Sequence, residues 1–404
     1  MPNLPGDDPY ACVVTWIDRP ALPGPLNGLR LGIKDLIAVA GVPRLCGAPA
    51  MVDNAPSQHD ATAVARLVAA GGHLVATTAT HEFGWGVITP AVRNPRSPGS
   101  IAGGSSGGFA AALAAGIVDG ALGSDTAGSI RIPAACCGVV GLKTTEALVP
   151  RDGVQPLAPS FDTVGPMARD VETLTRLLAV IAAKDVQPRL PASLRIGVLQ
   201  EVRDAPVDPE VRRAWNETLG TLRSAGARLR DVVVRGLAEA PAMNATILAA
   251  EEHTVHAATV ERFGASLSAG VRRAFDRSAA LTNDTVLEAR RGAALFRNGL
   301  TSTFADVDVL VLPVLPCRVP PVGRNDVDVE GTTERVGAAL TRLNTPWSLA
   351  GLCAGAVPVA HDSGGAPIAL QVVGPWGGED TVLAVMALIE RLSGGAWPAV
   401  PAAG

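Results

Sequence analysis

Residues 101–116 read IAGGSSGGFAAALAAG, two serines set among four glycines and followed without a break by an alanine-rich apolar run. Several glycine-loop readings compete for it. A phosphate-binding Walker loop needs Gly-Lys-Ser/Thr at its end, and Phe109 follows Gly108 where the lysine belongs. Gly103-Gly104-Ser105-Ser106-Gly107 fits the G-x-S-x-G nucleophile elbow, but that elbow rises from a buried strand. Residues 92–102, VRNPRSPGSIA, have loop chemistry instead, and the downstream histidines (His253, His256, His361) lack motif support. A flexible linker is disfavoured because FAAALAAG forms a compact helix with small side chains. A loop held against such a helix is ordered and can turn its backbone N–H groups toward a ligand.

Outward from this loop the pattern alternates between strand and helix. Residues 29–43, LRLGIKDLIAVAGVP, predict a strand, a turn and a short strand; residues 60–80 predict a helix ending at Gly71-Gly72 and then a strand. SLRIGVLQE (residues 193–201) is a further strand. Asp208 caps a helix with Pro209 in its first turn, and that helix stops near Gly226 before another strand. Residues 237–299 are helical in pattern and charge-rich, suited to a peripheral layer or lid. Two buried strands, in DVDVLVLPVLP and APIALQVVGP, and a closing helix, DTVLAVMALIERL, complete the chain. The expected architecture is a single-domain three-layer α/β/α sandwich over residues 1–404 with a mixed, mostly parallel central sheet.

Composition narrows the function classes. The 404 residues are 48% apolar, with 44 Gly and 32 Pro, so the core rests on Ala, Val, Leu and Ile with many tight turns. A formal charge of −4 without basic blocks speaks against nucleic acid. No run approaches the roughly 18 apolar residues that span a bilayer, and the amino terminus lacks a signal-peptide pattern, so a cytoplasmic protein is expected. The six cysteines form no C-x-x-C pair and read as free, mostly buried thiols. Cys136 and Cys137 lie in an apolar run without a neighbouring histidine, where burial raises a thiol pKa. His253 and His256 have i, i+3 spacing that a metal could use, but a solvated helix face is the expectation.

Residues 120–145, GALGSDTAGSIRIPAACCGVVGLKTT, add a second small-residue turn that ends at Ser129. Together with GIKDL around Lys34 and GGSSGG, this segment resembles the amidase signature family of serine amidohydrolases. The resemblance extends through SFDTVGPMARDVETL, DVDVLVLP and TPWSLAGLCAGAVPVAHDSGGAPIALQVVGP. It implies the amidase signature fold, with a core signature at about 29–180, a variable helical insertion at about 237–299 and C-terminal core elements at about 305–395. It implies hydrolysis of a carboxylic amide to acid and ammonia or amine, with no cofactor and no metal. The implied partners are a small-molecule amide and at most a second copy in a homodimer. An ammonia-generating subunit of an amidotransferase is the alternative, against which the chain length weighs; an esterase or α/β-hydrolase-type enzyme is a further one.

By the same resemblance Lys34 is the catalytic lysine, Ser105 the bridging serine behind a cis peptide, and Ser129 the nucleophile. The oxyanion amides are those of Thr126, Ala127, Gly128 and Ser129. Ala127 stands where the family usually has glycine, so either that position needs no positive φ or the turn is altered. Gly104, Ser106 and Asp125 either contact substrate or support the two loops. Arg131 either binds a substrate carboxylate or pairs internally with Asp125, and His81 and Trp85 of HEFGWG either line the acyl pocket or pack. The chemistry agrees, because a serine needs a neighbouring base and a lysine buried between apolar strands can be neutral enough to serve.

Overall fold

A computed structural model describes residues 8–400. Its N-terminal strands are β1 (Val13–Arg19), β2 (Arg30–Lys34), β3 (His73–Thr78) and β4 (Gly120–Asp125). Helix α1 (Thr62–Ala69) joins β2 to β3, and α2 (Gly107–Ala114) joins β3 to β4; such crossovers bring β2, β3 and β4 together in parallel. Next come α3 (Arg131–Cys137), β5 (Val140–Lys143), β6 (Thr163–Ala168) and α4 (Val171–Ala182). A second crossover unit has β7 (Arg195–Leu199), α5 (Gln200–Asp204), α6 (Pro209–Ser224) and β8 (Arg228–Val232). Asp208 caps α6 by accepting from the Glu210 N–H, with Pro209 in the first turn as expected.

Helices α7 (Ala240–Phe263), α8 (Ala269–Ser278) and α9 (Asn283–Asp306) form the helical stretch foreseen from charge and periodicity. The chain returns through β9 (Val309–Pro313), a hairpin of β10 (Asp326–Val329) and β11 (Thr332–Arg335), then α10 (Val336–Arg342) and α11 (Thr345–Leu349). It ends with β12 (Ala354–His361), β13 (Pro367–Val373) and α12 (Glu379–Leu392).

Among the described residues eleven strands make one sheet in the order β1-β3-β2-β4-β6-β5-β12-β13-β9-β7-β8. The sheet is mixed, but the expectation of mostly parallel pairing gives way. Pairings β2–β3, β2–β4, β7–β8 and β7–β9 are parallel. The other six, including the whole centre from β4 to β9, are antiparallel. The reason is connectivity: the flanks are joined by helices, whereas β12 and β13 are joined by a tight hairpin and β5 and β6 by a long loop.

Alternation along the strands feeds two separate cores. Leu122, Val164 and Leu370 enter one with α1, α4, α6 and α12; Ala121, Met167 and Ala369 enter the other with α2 and α3. The second face is built largely from alanine, so α2 and α3, buried at every residue, approach the sheet closely. That close approach holds the loops at their N-termini over the carboxyl ends of β2 and β4.

Candidate active site

Lys34 ends β2, and Ser124 and Asp125 end the neighbouring parallel strand β4, where Ile33 stands opposite Leu122. This register places Lys34 beside Ser124, far apart in sequence. The Lys34 Nζ donates to Ser105 Oγ at 2.8 Å and to Ser124 Oγ at 2.9 Å. Lys34 is 0% exposed, which rules out the solvated strand-end lysine paired with Asp35. Asp35 instead accepts the N–H groups of Leu45 (3.1 Å) and Gly47 (3.3 Å). Burial pushes the Lys34 amine down to about 7 against the pull of Asp125 and Asp162.

Ser105 sits in the loop read first from the sequence. That loop follows irregular chain, not a strand, so it is no α/β-hydrolase elbow. The Gly104–Ser105 peptide is cis, as the resemblance implies. At Gly104 a Cβ would stand 2.6 Å from the Ile88 nitrogen, so only glycine lets the two backbones meet there. The Ser105 carbonyl accepts the His81 N–H at 2.9 Å and the Thr89 hydroxyl at 3.1 Å, while Ser106 Oγ donates to the Ser124 carbonyl at 3.4 Å.

The turn from Thr126 to Ser129 is shaped by Asp125. Its carboxylate accepts the Gly128 N–H at 2.8 Å and pairs with Arg131 at 3.0 Å, both side chains fully buried. Burial alone would raise this carboxyl; Arg131, through charge and hydrogen bonds, holds it below the ordinary range. The Gly128 N–H is therefore occupied and drops out of the expected oxyanion set. Those of Thr126, Ala127 and Ser129 have no protein acceptor among the described residues. Positive φ falls on Gly128 (+115°) and not on Ala127, which explains why alanine is accepted at 127.

Arg131 spends its remaining donors on the Asn344 carbonyl, Gln371 and Ser348, so it is an internal ion-pair residue and not a substrate clamp. His81 and Trp85 do not line the cavity described below; Gly84 between them does. His81 hydrogen-bonds the Ile88 carbonyl through Nδ1, and Trp85 stacks on His256 at 4.9 Å. His256 is fully buried, contrary to the solvated helix face expected, because α7 turns that side onto Phe83 and Trp85. Among the described residues no group of His, Cys, Asp or Glu is placed to hold a metal ion. All six cysteines are free and buried, and burial pushes Cys137 up to about 12.

A cavity of about 440 Å³ opens over Ser105, Ser124 and Thr126. Leu36, Val154, Leu157 and Val164 give it apolar walls, Arg151, Asp152 and Gln155 a polar rim, and Asp162 and Thr163 part of its lining. Ser124 and Asp162 escaped the sequence reading. Ser124 is signalled only by the parallel register, and Asp162 only by standing in the SFDTVG segment that the resemblance covers. The arrangement offers a buried amine within reach of serine hydroxyls, free amides in a tight turn and a small cavity, the parts needed to attack a carbonyl and hold its oxyanion.

Comparison with known proteins agrees with this chemistry. The family model described as Amidase matches residues 17–383. The chain is 35% identical to a glutamyl-tRNA(Gln) amidotransferase subunit from Halobacterium salinarum, covering 92% of this chain and 97% of that one. A crystal structure of an amidase shares 35% identity with a TM-score of 0.86, covering 91% of this chain and 85% of the other. An inhibitor-bound structure, from a vestigial complex that reveals the origins of an s-triazine catabolic enzyme, shares 30% identity with a TM-score of 0.88 and coverage of 93% and 86%. No described helix is long and apolar enough to cross a membrane.

Proposed function

The chain belongs to the amidase family of amide-hydrolysing enzymes, and on that premise we propose that it cleaves a small carboxylic amide through a serine acyl-enzyme built by Lys34, Ser105 and Ser129. The observation that carries the relay is the buried Lys34 amine hydrogen-bonded to Ser105 Oγ at 2.8 Å. Neutral Lys34 takes the Ser105 proton while Ser105 takes that of Ser129, and Ser129 Oγ attacks the carbonyl carbon. The N–H groups of Thr126, Ala127 and Ser129 hold the tetrahedral oxyanion. As the C–N bond breaks, the proton returns through Ser105 to the leaving nitrogen; water then attacks the acyl-enzyme by the same relay and releases the acid.

Ammonia release from a panel of short aliphatic, aryl and dicarboxylic amides tests the activity. A fluorophosphonate should label Ser129, and Ser129→Ala should stay folded and lose about 10⁴-fold or more of turnover. A label on Ser105 or Cys137 overturns the assignment.

A second reading, an ammonia-generating subunit, is favoured by the similarity to an amidotransferase component. Length does not oppose it, since the match covers 97% of that relative. Turnover of free amides by the chain alone, as monomer or homodimer, separates the two; a requirement for a partner protein supports the second reading. Six free, buried thiols suit a reducing compartment such as the cytoplasm, and the one continuous eleven-stranded sheet supports treating the chain as a single domain.

A further inference from the structure

The wall of the cavity between β5 and β6 has neither helix nor strand over residues 151–162, so polar contacts must hold it. Asp162 supplies them from within. Its Oδ2 accepts the N–H groups of Leu157 (2.9 Å) and Ala158 (3.1 Å), and its Oδ1 accepts the Thr126 hydroxyl at 2.6 Å. Asp162 and Thr126 are both buried. One carboxylate thus joins the apolar wall of the cavity to the first residue of the turn that ends at Ser129. From outside, Ser160 donates its N–H (2.8 Å) and hydroxyl (2.5 Å) to Glu251 of α7, and Arg151 donates to the Asp162 carbonyl at 3.3 Å.

We propose that Asp162 is a positioning residue for the reaction: through Thr126 it aims an oxyanion-binding N–H, and through Leu157 and Ala158 it sets the wall against which the acyl group rests. A two-headed polar side chain is required, because two N–H groups and a hydroxyl converge from two directions and an apolar side chain meets none of them. Burial raises the carboxyl above its ordinary range, and these donors, with a smaller pull from Arg151, offset that only in part. The inference rests on the serine-hydrolase reading above. It predicts that wall and turn fail together when Asp162 is removed, and that the turn fails alone when only the Thr126 hydroxyl is lost.

A fluorophosphonate probe tests this on the full chain without a known substrate, since its phosphonyl oxygen uses the same N–H groups. Saturation kinetics of Ser129 labelling give kinact and KI separately. Thr126→Val should lower kinact about 10-fold with KI unchanged, and Asp162→Ala should lower kinact about 100-fold and raise KI. The double variant should stay within about 3-fold of Asp162→Ala alone, because both changes break one link. Asp162→Asn can still accept the two wall N–H groups with its oxygen and donate its amide N–H to the Thr126 hydroxyl, so it should keep both KI and kinact within about 3-fold, and Thr126→Val carries the test if Asp162→Ala does not fold. Additive losses, or a wild-type kinact in Thr126→Val, overturn the inference. A wild-type protein that is not labelled at Ser129 overturns the hydrolase reading and this inference with it.

Discussion

Two lysines in this protein are buried without exposure, Lys34 at the end of β2 and Lys143 at the end of β5, and burial depresses both amines, to about 7 and about 8. Their partners differ. Lys34 donates to the hydroxyls of Ser105 and Ser124, whereas Lys143 donates to the carbonyls of Thr144 (3.0 Å) and Leu352 (2.8 Å). A hydroxyl can give up a proton and a main-chain carbonyl has none, so only the first amine can act as a base. Burial makes a lysine neutral; the neighbouring group decides whether neutrality has a use.

Substitution separates the two lysines by the widest margin. Lys34→Arg keeps a cation and donors but offers no neutral base, so amide turnover should fall about 10³-fold or more, close to Lys34→Ala. Lys143→Met should keep kcat within about 3-fold and show its effect as a lower Tm, because two buried carbonyls lose their donor at about 1–3 kcal/mol each. Equal losses of activity at the two sites would dissolve the distinction.

Dependence on pH distinguishes them again. With Lys34 as base, turnover should climb about tenfold per pH unit up to a midpoint near the about 7 given by its burial, then level off. Stability moves with the same sign for both lysines. Each folded value lies below the roughly 10.4 of an exposed lysine, so the unfolded chain holds an extra proton between the two values and stability rises with pH across that window. The window opens at about 7 for Lys34 and about 8 for Lys143, and the penalty is constant below it. Denaturant midpoints against pH should therefore flatten in Lys34→Ala and in Lys143→Met, while Lys143→Met keeps the wild-type rate midpoint. A flat wild-type rate profile from about pH 6 to about pH 9 would exclude a neutral-lysine base.

Smaller effects test the surroundings of Lys34. Ser124→Ala removes one of its two acceptors and leaves Ser105, so kcat should drop about 10-fold with KM unchanged. Ala127→Gly should change turnover by less than about 3-fold, because position 127 has no positive φ for glycine to relieve. A rise well beyond that, measured with the best amide of the panel, would show that the alanine distorts the oxyanion turn.

Much of this is legible in the chain before it folds, because the signals are local. Gly71-Gly72 ends α1 and Asp208 and Pro209 start α6 because turn and cap chemistry acts over a few residues, and GGSSGG leads directly into the small-residue helix α2. The resemblance carried by those same short segments led to the family. The rest came from tertiary packing. Periodicity records that a face is apolar, not which element covers it, so His256 read as solvated and is buried, and a sheet read as mostly parallel is antiparallel through its centre. Arg131 turns inward, the Gly128 N–H is taken by Asp125, and Asp162 reaches Thr126 across a separation of 36 residues. Lys34 meets Ser105 and Ser124 across separations of 71 and 90 residues, and no local pattern encodes a hydrogen bond over such distances. Only the packed sheet brings those atoms together, and the same packing excludes the water that would otherwise keep Lys34 charged.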